Sequence, residues 1–323
     1  MQIPLPVRPP RRSLRLKVWR VRMDRLAQRG FYILAAIPMV VVAVMLGALI
    51  YRSYPILHTN SIWNLLTGRN WSPSKGEFGF LPFIMGTVWV TVVAMVVAVP
   101  PCLLTAIYLA EYARPSVRNT MKPMLDLLAS IPSVIYGLWG VIAIVPLVQY
   151  IGPTINHFLG NVPLIASNNP TGYSILAGGI ILALMVSPDI IAVSFEVLRT
   201  VPDGYRQASL AVGATRWETV KYAVLPKARL GLMAGIVLGA SRAIGETMAV
   251  LMVVGNVAKI PSSIFDPAYP LPALIANNYG EMLSIPLYDS ALMTAALILL
   301  VVVIAINVIA NLILRRINQE AAT

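Results

Sequence analysis

Six long apolar stretches, separated by shorter polar ones, set the pattern of the chain. They fall at about 31–51, 81–110, 125–150, 174–198, 230–255 and 290–314. Each reaches the roughly 20 residues a helix needs to cross a bilayer core. Pro38, Pro100, Pro101, Pro132, Pro146 and Pro188 lie inside them. Within a bundle such prolines are expected to kink helices without ending them, because neighbouring helices re-satisfy the freed backbone groups. The pattern predicts an all-α polytopic membrane protein: a tail at 1–30, a six-span domain at 31–314 and a short terminus at 315–323.

Composition agrees and removes the soluble alternatives. The chain of 323 residues is 58% hydrophobic and 12% charged, with a mean hydropathy of +0.75. Soluble domains carry about twice that share of charge. The formal charge of +12 would suit a nucleic acid, but its placement points to a membrane surface. Nine of the 25 basic residues (Arg8, Arg11, Arg12, Arg15, Lys17, Arg20, Arg22, Arg25 and Arg29) precede the first apolar run. That run is too long for a signal-peptide core and has no small-residue cleavage site, so it is expected to remain as a span. The single cysteine, Cys102, reads as a small buried hydrophobe, and no Cys/His cluster suggests a metal.

Basic residues also set an orientation. With the amino terminus inside, the inner segments are the tail, 111–124, 199–229 and 315–323, which hold nine, three, six and two Lys/Arg, twenty in all. The outer segments 52–80, 151–173 and 256–289 hold four: Arg52, Arg69, Lys75 and Lys259. This asymmetry predicts both termini in the cytoplasm. The outer loops are rich in Pro, Asn, Tyr and Trp, as at Trp63, Trp71, "NNPTGY" and "IPSSIFDPAYPLP". Two readings stay open there, interfacial anchoring with turns, or a docking surface for an outside partner.

The inner loop 199–229 is patterned rather than linker-like. Pro202 and Asp203 look like a helix start, with Tyr205, Ala208, Ala211 and Val212 on one side of it. Gly213 suits a left-handed stop. Thr215 and Glu218 have the spacing of a capping box opening a second short helix that is expected to run until Pro226. The loop is therefore expected to form a helix–Gly–helix elbow, either resting on lipid headgroups or gripped by a soluble partner.

One basic residue stands in no loop. Arg242 lies in the fifth span, four positions before Glu246. In a continuous helix the two would share a face, about 6 Å apart along the axis. An unpaired arginine at mid-bilayer costs on the order of 3 kcal/mol on insertion scales. It is tolerated either as a structural ion pair with Glu246 or as part of a pathway. The guanidinium offers planar, paired donors that match an oxyanion and keeps its charge at any physiological pH. Ser241, Gly245 and Thr247 are small and add room or a hydroxyl. A carboxylate at Glu246 favours an oxyanion that still carries a proton, as phosphate does at neutral pH and sulfate does not. Asp189, after Pro188 in the fourth span, reads as a third pathway residue or as a partner for the proline kink.

Two sets of motifs carry a resemblance. Gln207-Ala208-Ser209, three residues, Gly213, then nine residues to Ala223-Val224-Leu225-Pro226 resembles the EAA loop of ABC-importer permeases. Gln207, Ser209 and Ala223 depart from its usual residues, and the spacing is kept. "GLMAGIVLGASRAIGETMAVLMVVGN" at 231–256 is similar to the span after that loop in phosphate-specific ABC permeases of the PstC type. "AIYLAEYARP", "LLASIPSVIYGLWG" and "LALMVSPDIIAVSFEVLRTVP" extend the likeness to about 105–260, with "SPD" a departure.

The resemblance implies a type I ABC importer permease fold in a bacterial inner membrane. It implies an ATPase-coupling surface at Gln207, Ala208, Ser209, Gly213, Leu225 and Pro226. It also implies a phosphate path lined by Arg242, Glu246, Thr247, Ser241 and Asp189. The implied partners are a PstA-type permease, two ATPase subunits and an external phosphate-binding protein. The sequence holds no Gly-x4-Gly-Lys-[Ser/Thr] phosphate loop. ATP and Mg are therefore expected on the partner ATPases, with no cofactor and no catalytic or metal-binding residue in this chain. Importers of sulfate, molybdate or phosphonate, a proton-coupled carrier using Glu246 and Asp189, and a phosphate-sensing scaffold are the competing readings.

Overall fold

Apolar length builds the architecture. In the computed structural model, which describes residues 11–159, 162, 164–166, 169–280 and 285–322, six helical segments are long and apolar enough to cross a membrane. They are Met23–Thr59, Leu81–Tyr112, Ser133–Phe158, Ile175–Thr200, Arg216–Gly245 and Tyr288–Ile309. Arg8 of the basic tail lies outside the described residues, as do 281–284 of the last outer loop.

The chain forms two compact units, Met1–Arg52 and Ser53–Thr323. The first unit belongs to α1 (Arg11–Thr59), which is helical well before the apolar run begins. In the second unit, α2 (Ile62–Thr67) leads into a hairpin of β1 (Trp71–Ser72) and β2 (Glu77–Phe78). The strands pair antiparallel, with Trp71 opposite Phe78. Trp71 then joins an aromatic cluster, 4.9 Å from Phe83 and 6.1 Å from Tyr288 between ring centroids. It is built into a packed corner rather than standing alone at an interface, while Trp63 stays exposed.

The second span is α3 (Leu81–Ile107), closed by a π-helical turn at Tyr108–Tyr112. Pro100 and Pro101 sit inside it without ending it. Next comes α4 (Pro115–Ser130), with proline at the first helical position where no N–H is needed. The third span begins later than the hydrophobic pattern predicts. Residues 125–130 finish α4, and Ile131 is extended (φ −65°, ψ 127°), because Pro132 disfavours helical backbone in the residue before it. The span proper is α5 (Ser133–Trp139), a π turn at Gly140–Ile144 and α6 (Val145–Leu159).

At the centre lies α7 (Ile175–Thr200). Its start is capped by Ser174, whose Oγ accepts the Ala177 N–H at 3.2 Å. The fold continues with α8 (Asp203–Ala211), α9 (Arg216–Glu218), a π turn at Thr219–Val224, and α10 (Leu225–Gly245). After them come α11 (Met248–Val253), α12 (Leu271–Asn278) and α13 (Tyr288–Ala322).

Lipid supplies no hydrophobic drive between helices, so close packing must hold them, and small residues permit it. Gly231, Gly235 and Gly239 recur every four residues along α10 and face α7. A Cβ on them would come within 2.4 Å of Val197, 3.1 Å of Val193 and 2.6 Å of Ile190 respectively. On another side of α7, a Cβ on Gly179 would lie 2.5 Å from Val93 of α3. Around these contacts Val90, Ala94, Ala98 and Cys102 of α3 pack with Leu182, Val186 and Ile190 of α7. Cys102 is buried, as expected.

Candidate functional site

The glycine stripe of α10 ends one turn before Arg242, and that residue meets α7. The Arg242 Nη1 donates to Asp189 Oδ2 in an ion pair between the fourth and fifth spans. The pair is not sealed: the side chains are 37% and 26% exposed. Arg242 lies in the last turn of α10, where the helix carbonyls favour a cation. Asp189 follows Pro188 inside α7.

Glu246 is placed differently from the expectation of a shared helix face. The helix ends at Gly245, and Glu246 is extended (φ −70°, ψ 128°). Its Oε1 accepts the N–H of Ala249 in the first turn of α11 at 3.2 Å. A carboxylate there satisfies one of the donors that a helix start leaves unpaired. The fifth span is thus two helices broken between Arg242 and Glu246, and Asp189 is the counter-ion of the arginine.

Around the break, Gly245 is open, with no atom within 4 Å of where a Cβ would stand. The Thr247 Oγ1 donates locally to the Gly245 carbonyl at 3.3 Å. Ser241 donates to Asn307 Oδ1 of α13 at 2.9 Å, so its hydroxyl ties α10 to the last span. Of the five residues expected on the pathway, the structure joins Arg242 and Asp189 directly. It places Glu246 and Thr247 at the helix break and commits Ser241 to α13.

The inner elbow folds as patterned. Gly213 has φ 86°, in the left-handed region that glycine enters without penalty, and its N–H returns to the Leu210 carbonyl at 3.0 Å. The capping box is present: Thr215 N–H donates to Glu218 Oε2 at 2.7 Å, and Glu218 N–H to Thr215 Oγ1 at 3.3 Å. Ser209 and Thr219 share a hydroxyl hydrogen bond of 2.9 Å that joins the two arms. Gln207, Ala208, Gly213 and Pro226 are exposed, and Leu225 is half-buried. Pro226 does not end the second arm. The π turn at Thr219–Val224 runs straight into α10, so Pro226 lies within a continuous helical stretch without ending it.

Charge at the base of the elbow was not singled out from the sequence. Arg206 Nε and Nη2 donate to the Glu111 carboxylate, the latter at 2.8 Å. The Glu111 hydrogen bonds hold the guanidinium above its ordinary pKa, against the opposing pull of burial. The signal lay in "AEYA", an acid at the end of an apolar span, and in the arginine just before Gln207.

Residues 102–322 match the sequence family described as the binding-protein-dependent transport system inner membrane component. The chain belongs to this family. It is accordingly a multi-pass inner-membrane permease of the ABC-importer class, which works with ATPase and binding-protein partners. The permease is 39% identical over 254 residues to the phosphate transport system permease protein PstC of Xylella fastidiosa strain 9a5c, covering 77% of this chain and 78% of that one. It is 35% identical over 308 residues to PstC of Mesorhizobium japonicum, covering 93% and 94%.

Among solved structures, the fold matches a bacterial ABC transporter involved in the import of the acidic polysaccharide alginate. There the TM-score is 0.55 at 15% identity, over 95% of this chain and 99% of that one. It also matches the inward-facing MetNI methionine transporter, with a TM-score of 0.51 at 20% identity, over 72% and 93%.

Proposed function

We propose that this permease subunit moves inorganic phosphate inward, in a complex with a PstA-type permease, two ATPase subunits and an external phosphate-binding protein. The observation that carries the reading is the half-exposed Arg242, held by Asp189 at the end of α10. A fixed cation at a break between two helices presents planar donors to an oxyanion. Intramembrane ionisable residues of this kind mark pathways. The curated relatives named above are phosphate permeases.

Asp189 neutralises the guanidinium. An arriving phosphate competes for the same donors. Glu246 has one oxygen engaged with Ala249, which leaves the other to accept from a P–OH, a group that sulfate lacks at neutral pH. An apolar groove between α5 and α7, lined by Tyr136, Trp139, Leu184 and Pro188, opens beside the Asp189 turn and offers the partner permease a face to cover.

The elbow at Gln207–Gly213 is the element an ATPase would grip. Its orientation follows from the basic residues: elbow and both termini in the cytoplasm. ATP and Mg would bind on the ATPases, and the sequence has no phosphate loop of its own. A proton-coupled carrier is the weaker reading, since the two carboxylates it would use, Asp189 and Glu246, already have partners at Arg242 and Ala249. The test is phosphate uptake by the reconstituted complex with ATP supplied on the elbow side. Uptake that ignores ATP and follows a proton gradient overturns it.

A further inference from the structure

One side chain of the elbow is heavily bonded to the rest of the permease. Arg206, in α8, is 19% exposed, and Glu111, in the π turn after α3, is 10% exposed. The Nε and Nη2 of Arg206 hold Glu111 at 3.1 and 2.8 Å. Nη2 also donates to the Leu198 carbonyl at 2.9 Å, and Nη1 to the Val201 carbonyl at 2.6 Å and to Asp203 Oδ1 at 3.2 Å. Each of the five guanidinium N–H groups thus has an acceptor. Leu198 lies in the last turn of α7, where carbonyls have no partner within the helix, and a cation there is favoured by the helix dipole.

Three elements therefore meet on one guanidinium: the end of α3, the end of α7 and the first arm of the elbow. The α3 end is itself fixed from α4, since Arg118 Nε and Nη2 donate to the Leu109 and Ala110 carbonyls at 3.2 and 3.1 Å. Along α7, Leu198 is nine residues from Asp189, roughly 13 Å of continuous helix. The same helix thus carries the elbow's clamp at one end and the counter-ion of Arg242 within it.

We propose that Arg206 is a positioning residue, and that its clamp on Glu111 and the α7 terminus relays movement of the elbow to the Arg242–Asp189 pair. This rests on the reading of the elbow as the ATPase-coupling element. Lysine at 206 could keep the charge but not the fork that serves Glu111 and two carbonyls together. Glu111→Gln removes the charge on the α3 side and leaves the carbonyl contacts to α7 intact.

The experiment reconstitutes the complete transporter with wild-type, Arg206→Lys and Glu111→Gln permease. It measures phosphate transported per ATP hydrolysed, together with the yield of assembled complex. A relay predicts normal assembly, continued hydrolysis and a transport-to-hydrolysis ratio that falls at least about fivefold, the lower end of ordinary inter-site coupling. A purely structural contact would lower hydrolysis and transport together. An unchanged ratio in both variants, or failure of both to assemble, overturns the relay. If the wild-type complex itself shows no ATP-dependent uptake, the coupling reading beneath it has failed instead.

Discussion

Arg242 of α10 and Asp189 of α7 form an ion pair, while Glu246, four positions beyond the arginine, is committed to the N–H of Ala249. The fifth span breaks between its two charged residues, and the arginine finds its counter-charge on a neighbouring span. On the proposed phosphate reading, an oxyanion that takes Arg242 Nη1 competes with a resident carboxylate.

Asp189→Asn removes that competitor at nearly constant shape. A binding site that is free for only a tenth of the time has a tenfold weaker apparent affinity. The variant is expected to lower the KM for phosphate uptake by up to about tenfold, with kcat equal or reduced. Uptake kinetics in proteoliposomes check this, and an unchanged or raised KM would count against competition at Arg242.

Arg242→Lys keeps the charge and loses the planar fork. The loss of one charge-assisted hydrogen bond is on the order of 2 kcal/mol, or about thirtyfold in kcat/KM. The same kinetic measurement reads it. Wild-type kcat/KM in this variant would mean that a point charge suffices and that geometry plays no part.

Glu246→Gln separates two roles of one side chain. A glutamine oxygen still accepts the Ala249 N–H, so the start of α11 is kept and the protein should remain stable. The amide is no longer selective for a proton-bearing oxyanion, so the preference for phosphate over sulfate is expected to narrow. Glu246→Ala, by contrast, should also cost about 1 kcal/mol through loss of the cap. Competition of sulfate against labelled phosphate uptake is the readout, and an unaltered ratio in Glu246→Gln would remove Glu246 from the selectivity argument.

Orientation has its own measurement. A reporter fused after Lys75 is expected on the opposite side of the membrane from one inserted at Gly213, since the basic residues divide that way. Finding both on one side would refute the assignment.

The elements most legible in the sequence were those fixed by local rules. Six spans follow from apolar length, and the elbow follows from Gly213, Thr215 and Glu218, whose conformations depend on near neighbours. Boundaries set by the chain's own breaks were harder to read. Ile131–Pro132 divides an apolar run that looks continuous, and Gly245–Glu246 divides another. Contacts between distant segments were not legible. Asp189 and Arg242 are 53 positions apart, and Glu111 and Arg206 are 95 apart. Nothing in periodicity brings such residues together; the packing of α7 against α10 and α3 does.

That packing yields the sharpest structural prediction. Gly239 lies three residues before Arg242, about 4.5 Å along the helix, and its partner Ile190 adjoins Asp189. A Cβ at 239 would stand 2.6 Å from Ile190 Cγ1 and 2.8 Å from its Cδ1. Rotating the terminal methyl relieves only the second contact, so α10 must move off α7 at the level of the ion pair. Gly239→Ala is therefore expected to cost about 1–3 kcal/mol, as overpacking does, and to loosen the pair as well. The result should combine the lowered KM of Asp189→Asn with a lower melting temperature of the purified complex. Gly245→Ala is the matched control: it also adds one methyl near the break, yet meets nothing within 4 Å, and its melting temperature should stay at or above the wild-type value. Equal behaviour of the two variants would show that the glycine stripe does not set the distance between the helices that carry Arg242 and Asp189.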